Sequence, residues 1–263
     1  MPTAEFTDTP LADLLMLPGK RAVVTGGALG MGAGIARRLA EAGASVVIGD
    51  INIPAAQETA RAIGAEFQGA DVKVMELDVG KTASIRKFTE AAADSLGGLD
   101  IWVNNAGYYP ISPAMEIDEA AWDLVQDINL KGVFFSSQEA ARQMIKCGST
   151  SAVIVNISSM SGLRGRKNGL AHYGAAKHGV VGLTKFLGLE WGDHGIRVLG
   201  IAPGATNTHS SKVLPEHYRD FPVGRGGTAD DIALAVMFCV SGLSAFMSGS
   251  TLMLDGGAGA GVS

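Results

Sequence analysis

Tyr173 and Lys177 stand four residues apart in the run Tyr173-Gly174-Ala175-Ala176-Lys177. On a helix this spacing puts both side chains on one face, a turn apart. A phenol ordinarily titrates near 10, too high for a base at neutral pH. An ammonium one turn away favours the phenolate and lowers that value. Such a tyrosine can take a proton from an alcohol or return one to an alkoxide. The pattern is frequent by chance, and in isolation it reads as structural. Fourteen residues upstream, Ser159 lies in Asn156-Ile157-Ser158-Ser159-Met160-Ser161-Gly162. A hydroxyl there can hydrogen-bond a substrate oxygen. Ser161 and Ser158 are weaker candidates for the same position.

A second set of residues suits a dinucleotide. Thr25-Gly26-Gly27-Ala28-Leu29-Gly30-Met31-Gly32 follows an apolar run and opens a helix. Glycines there let the backbone turn sharply and approach a pyrophosphate, and the helix N-terminus offers N–H groups and a positive dipole end. Eighteen residues beyond Gly32, Asp50 ends the next apolar run. That spacing is near the ~20 residues expected for an acid that binds adenosine ribose hydroxyls. A carboxylate repels a 2′-phosphate, and neither Ala28 nor Ile51 supplies a cation, so NAD is favoured over NADP. Asp50 also reads as a solvated turn residue. Asp78-Val79 ends the third run, where the carboxylate either accepts from the adenine amino group or caps a turn. In Asn104-Asn105-Ala106-Gly107, the amides can tie strand ends together and Gly107 can let the chain pass close to a cofactor. A bound nicotinamide cation would lower the Tyr173 phenol further.

Short apolar, β-branched runs alternate with longer helical patterns. Expected strands lie at 22–25, 45–49, 72–77, 100–103, 152–157, 196–201 and 251–254. Expected helices lie at about 30–42, 54–64, 82–96, 118–129, 133–147, 171–193 and 229–241. The strands are continuous apolar runs, the pattern of burial on both faces. Such alternation implies right-handed crossovers and a parallel sheet. The expected fold class is α/β: one Rossmann-type, doubly wound parallel sheet of about seven strands with helices on both faces. Residues 1–18 read as an N-terminal extension and 19–263 as a single dinucleotide-binding and catalytic domain. Ligands of such sheets bind beyond the carboxyl ends of the strands, where the residues above fall.

The 263 residues include 36 glycines and are 47% hydrophobic, enough for a sizeable core. The glycines follow no collagen-like period. With 21 basic and 26 acidic residues the net charge is −5, which gives no general reason to bind nucleic acid or an anionic membrane. The densest basic group is Arg164, Arg166 and Lys167. Met1–Pro10 lacks the basic start and apolar core of a signal peptide, and 232–247 is too short to span a bilayer. Cys147 and Cys239 fit no metal-ligand spacing, and a reducing cytoplasm is the expected setting. The five histidines form no HExxH-like pattern, so no metal is expected. Trp102, Trp122 and Trp191 read as packing residues.

In ordered motifs over about residues 19–257, the sequence resembles the short-chain dehydrogenase/reductase family. TGxxxGxG matches Thr25, Gly26, Gly30 and Gly32, and NNAG matches Asn104–Gly107. Asn129 matches the family's catalytic asparagine, and Ser159, Tyr173 and Lys177 match its serine, tyrosine and lysine. Pro203, Gly204 and Thr208 match the segment after the sixth strand. The serine stands 14 residues before the tyrosine, where many members have 13, and the stretch between Thr208 and Pro222 is short for the family's lid.

The resemblance implies reversible hydride transfer between NAD(H) and a secondary alcohol or ketone. Tyr173 would exchange the hydroxyl proton, Ser159 hold the substrate oxygen and Lys177 bind the nicotinamide ribose. Asn129 would hold a proton-relaying water. Around the dinucleotide it implies Gly26, Leu29, Gly30, Met31, Gly32, Asp50, Ile51, Asp78, Val79, Asn105, Ala106, Gly107, Pro203, Gly204, Thr206 and Thr208, with Tyr173 and Lys177. Tyr108, Tyr109, 163–170, His172 and 209–218 should line or cover the substrate pocket. Arg164 and Arg166 read as solvated loop residues rather than an anion site. A homotetramer is implied through the helices at 133–147 and 171–193. Two other functions are an NADPH-dependent reductase of ketones or 3-oxoacyl thioesters on the same fold, and a catalytically idle NAD-binding scaffold.

Overall fold

Strands and helices alternate from Arg21 to Leu254 in the computed structural model of the chain, which describes residues 8–165, 169–208, 213, 216 and 221–260. The strands are β1 (Arg21–Thr25), β2 (Ser45–Asp50), β3 (Val72–Glu76), β4 (Ile101–Asn104), β5 (Ala152–Ile157), β6 (Ile196–Pro203), β7 (Thr206–Asn207), β8 (Gly227–Thr228) and β9 (Thr251–Leu254). The helices are α1 (Gly30–Glu41), α2 (Ile53–Glu66), α3 (Thr82–Leu96), α4 (Glu119–Gln126), α5 (Gly132–Lys146), α6 (Ala171–Glu190) and α7 (Ala229–Val240).

Seven strands form one sheet in the order β3-β2-β1-β4-β5-β6-β9, every neighbouring pair parallel. The order reverses between β1 and β4. A crevice opens at such a switch point, beyond the carboxyl ends of the two strands. Successive strand residues face opposite ways, and the core divides accordingly. Ala22, Val24, Val46, Ile48, Ile101 and Val103 meet Ile35, Leu39, Ala56, Ile232 and Val236 of α1, α2 and α7. Val23, Val47, Trp102, Ala152 and Ile154 meet Ile85, Phe88, Ala140, Met144 and Leu187 of α3, α5 and α6. Each large apolar side chain so buried contributes about 1.5–3 kcal/mol. This anchors the strand ends that carry the site.

Three features depart from the sequence reading. The helices expected at 118–129 and 133–147 join through a π-turn, Asp127–Lys131, which carries Asn129 wholly buried at its centre. The helix expected to reach 193 ends at Glu190 and passes into a 3₁₀ turn closed by Gly195 in the left-handed region. The pair β7–β8 is additional, because two-residue strands carry no periodicity to detect. Trp102 is a core residue, packed edge-on against Phe88 at 6.0 Å. Trp122, on α4, is exposed, contrary to its expected packing role.

Candidate active site

The strand ends are braced by side chains that reach across the sheet. Thr25 Oγ1 at the end of β1 accepts from the main-chain N–H groups of Asn105 (3.0 Å) and Ala106 (3.1 Å). Asn105 Nδ2 donates back to the carbonyls of Thr25 (3.0 Å) and Gly26 (2.9 Å). The glycine turn and the Asn104–Gly107 run are thereby held in fixed relation. One position deeper, Asn104 accepts from Trp102 Nε1 (2.7 Å) and donates to Ser137 Oγ and Asn156 Oδ1, both at 2.8 Å. Asn156 in turn donates to Thr184 Oγ1 (3.1 Å). This buried network links β4 and β5 to α5 and α6, as the amide run suggested. Its other partners lie too far away in sequence to be read there.

Over these ends lies a cavity of about 580 Å³. Gly26, Leu29, Gly30, Met31, Gly32, Asp50, Ile51, Asp78, Val79, Asn105, Ala106, Gly107, Pro203, Gly204, Thr206 and Thr208 all line it, with Ser159 and Tyr173. The backbone leaves no space for side chains in the glycine turn. A β-carbon at Gly32 would strike the Gly26 carbonyl and lie 2.6 Å from Asn105 Nδ2, and Gly26 itself has φ +64. Leu29 precedes α1 without a side-chain cap, whereas Asn52, Asp118 and Thr228 cap α2, α4 and α7. The N–H groups at the start of α1 thus face the cavity without a side-chain acceptor, which suits a phosphate.

Asp50 Oδ2 accepts from Ala28 N (3.0 Å) and Oδ1 from Asn52 N (2.9 Å), so the carboxylate is fixed at the edge of the cavity. Among the described lining residues no lysine or arginine accompanies it. These features fit a dinucleotide whose ribose hydroxyls meet an acceptor. Asp78 also lines the cavity, but its oxygens are engaged by Gly80 N (3.0 Å) and Lys81 Nζ (2.9 Å). The Lys81 ammonium, chiefly, and the Gly80 amide hold it below the usual carboxylate range. The turn-capping role is therefore present at Asp78.

The proton-transfer candidates converge on the other side. Ser159 opens a short 3₁₀ turn, Met160–Gly162, and its Oγ accepts from Ser161 N (3.1 Å) while hydrogen-bonding the Tyr173 phenol. Ser158 instead donates to the Lys177 carbonyl (3.0 Å) and is buried, which separates the two adjacent serines. Lys177 is 3% exposed and lies beneath the cavity rather than lining it. Its Nζ donates to the Ile157 carbonyl (2.9 Å) and stands 5.5 Å from the Tyr173 ring centroid.

Burial pushes the phenol up to about 12, against the Ser159 hydrogen bond that lowers it. Burial also pushes Lys177 down to about 8. The lowering of Tyr173 expected from its lysine neighbour is thus absent in the protein alone. Desolvation is the largest influence, and the neighbouring Tyr109 phenol adds to the rise.

Asn129 lies behind Gly107 and does not line the cavity. Its Nδ2 donates to the carbonyls of Tyr108 (2.7 Å) and Val125 (3.0 Å), and its Oδ1 accepts from Tyr108 N (3.2 Å). The side chain is committed to the main chain, holding the π-turn against the end of β4. His172, expected at the pocket, is wholly buried and does not line it, since neighbouring residues of α6 stand about 100° apart. Arg164 is exposed and also outside the lining. Arg166, Lys167 and the stretch 209–212, with His217 and Tyr218, lie outside the described residues. Ala28, Asn52, Leu77, Ile128, Met160 and Ala205 line the cavity without having been singled out. Each adjoins a motif residue, the only signal in sequence that could have found them.

The family model for enoyl-(acyl carrier protein) reductase matches residues 26–259. The 3-oxoacyl-(acyl-carrier-protein) reductase FabG of Chlamydia muridarum is 38% identical over 247 residues, covering 92% of this chain and 98% of its own. The 3beta-hydroxysteroid dehydrogenase 1 of Eggerthella lenta is 38% identical over 249 residues, covering 92% and 94%. A short chain dehydrogenase from Burkholderia cenocepacia, solved in complex with NADP, superposes with TM-score 0.86 at 33% identity, covering 92% of this chain and 98% of that one. With its ordered motifs set around one crevice, the chain belongs to the short-chain dehydrogenase/reductase family.

Proposed function

We propose that the protein is an NAD-preferring dehydrogenase that interconverts a secondary alcohol and its ketone. The observation that carries the reading is the Tyr173 phenol, hydrogen-bonded to Ser159 and with its ring centroid 5.5 Å from the Lys177 ammonium, in the same cavity as the glycine turn and Asp50. NAD, when bound, supplies the hydride chemistry and a positively charged ring. Gly26, Leu29, Gly30, Met31 and Gly32 would receive the pyrophosphate, and Asp50 and Ile51 the adenosine ribose. Asp78 and Val79 would flank the adenine. Asn105, Ala106, Gly107, Pro203, Gly204, Thr206 and Thr208, with Lys177, would surround the nicotinamide half.

Ser159 holds the substrate oxygen in place. Tyr173 accepts the hydroxyl proton during oxidation and donates it during reduction. Lys177, from beneath the cavity, would bind ribose hydroxyls, and its ammonium together with the bound cofactor's positive charge would favour the phenolate. Asn129 acts by position, keeping the π-turn against Gly107, so any relay water would meet main-chain rather than amide groups there. Position and electrostatics are the protein's contribution.

The preference for NAD rests on Asp50 and on the absence of a cation among the described lining residues. A second reading, reduction of 3-oxoacyl thioesters with NADPH, rests on the similarity to FabG. Coupled oxidation of a panel of secondary alcohols with NAD and with NADP separates the two. The first reading predicts the faster reaction with NAD, and a clear advantage for NADP together with thioester reduction would replace it with the second.

We further place residues 19–263 in one catalytic domain with 1–18 as an extension, and the protein in the cytoplasm as a homotetramer. Among the described residues no helix is long and apolar enough to cross a membrane. Phe186 and Leu189 on α6 are 73% and 81% exposed, and a β-carbon at Gly182 would meet nothing. That open apolar face suits a second copy of the helix. Gly179 instead packs on Leu130 within the subunit.

A further inference from the structure

We propose that the alcohol taken by this site carries a ring at or beside its carbinol carbon; this rests on the dehydrogenase reading above. The Tyr109 ring lies 6.0 Å from that of Tyr173, tilted by 58°. Tyr108 and Tyr109 both line the cavity and are each 44% exposed. Large aromatic surface left open in a cleft beside the proton-transfer groups is surface that a ligand covers.

Met160 and Leu170 join Tyr108 and Tyr109 in the described apolar lining near Tyr173. Exposed Ile111 and Leu163 extend the same apolar character outward at the rim. The two wall segments are pinned together. Ser112 N donates to the Gly169 carbonyl (2.9 Å), and a β-carbon on Gly169 would lie 3.0 Å from Ile111. The wall is therefore a fixed surface that selects for shape.

A ring beside Tyr108 and Tyr109 gains both burial and a tilted aromatic contact.

The test measures kcat/KM with NAD for cyclohexanol and 1-phenylethanol against 2-butanol. The expected result is an advantage of about tenfold or more for the two ring alcohols, the scale of one filled apolar subsite. In Tyr109→Ala the efficiency for 1-phenylethanol falls about tenfold, mainly through KM, and falls far less for 2-butanol. NADH binding by the variant verifies that it is folded. Equal or better efficiency for 2-butanol overturns this inference and leaves the dehydrogenase reading standing. So does an equal loss on both alcohols in Tyr109→Ala. NADH binding without oxidation of any alcohol overturns both.

Discussion

Replacing Asp50 by serine removes a negative charge from the edge of the crevice, and the consequence for cofactor choice follows from the geometry. The carboxylate is fixed by the amides of Ala28 and Asn52 at 3.0 and 2.9 Å, so it cannot swing away from an incoming 2′-phosphate. Two unit charges about 5 Å apart at an effective dielectric of about 20 repel by about 3 kcal/mol. Asp50 is partly exposed, so solvent screening reduces this to about 1.5–2 kcal/mol, a ratio of about 10–30 in affinity.

The wild-type protein should accordingly bind NADH about ten to thirty times more tightly than NADPH at moderate salt. In Asp50→Ser the ratio should approach one, because NADPH binding improves while NADH loses its ribose acceptor. Asp50→Asn removes the charge and retains an oxygen acceptor, so it isolates repulsion from hydrogen bonding. Fluorescence titration with both reduced cofactors measures the ratio, and repetition at high salt should narrow it. Wild-type protein that binds NADPH as tightly as NADH, or an Asp50→Asn ratio equal to the wild-type one, would refute the reasoning.

Three further outcomes are expected. Gly32→Ala forces a β-carbon against the Gly26 carbonyl and Asn105, and should cost about 1–3 kcal/mol in denaturant unfolding and weaken NADH binding at least tenfold. Asn104→Leu strips the buried partners Trp102, Ser137 and Asn156 of their shared amide, a loss of about 3 kcal/mol or more in the same assay. Lys177 is held at about 8 in the fold and titrates at 10.5 when unfolded, so between these values the unfolded chain binds the extra proton and stability rises with pH. Unfolding of the protein alone should therefore show Lys177→Met most stable relative to wild type near pH 7 and losing that advantage by about pH 10.5, through about 2–3 kcal/mol.

Much of this arrangement was legible in the residues. Continuous apolar runs gave the strands, and the positions just after them gave the cavity lining, because a parallel sheet brings its carboxyl ends to one crevice. What escaped detection depended on contacts distant in sequence. The choice between Ser158 and Ser159 turns on the Lys177 carbonyl, which claims one hydroxyl and leaves the other to Tyr173. Asn129 was picked out by its motif, yet the π-turn that buries it has no separate periodicity. His172 precedes Tyr173, but a helix turns neighbouring residues about 100° apart, and adjacency did not place it at the pocket. The phenol's upward displacement arises from desolvation by the whole surrounding fold, which the spacing of Tyr173 and Lys177 does not encode.

Proton exchange at Tyr173 is tested most directly by Tyr173→Phe, assayed for NAD-dependent oxidation of an alcohol that the wild-type protein turns over. The ring stays in the cavity and only the phenol oxygen is lost. NADH binding should be retained while kcat falls by about a thousandfold, the scale of lost general acid–base catalysis. A variant that binds NADH and oxidises the alcohol at the wild-type rate would contradict the account.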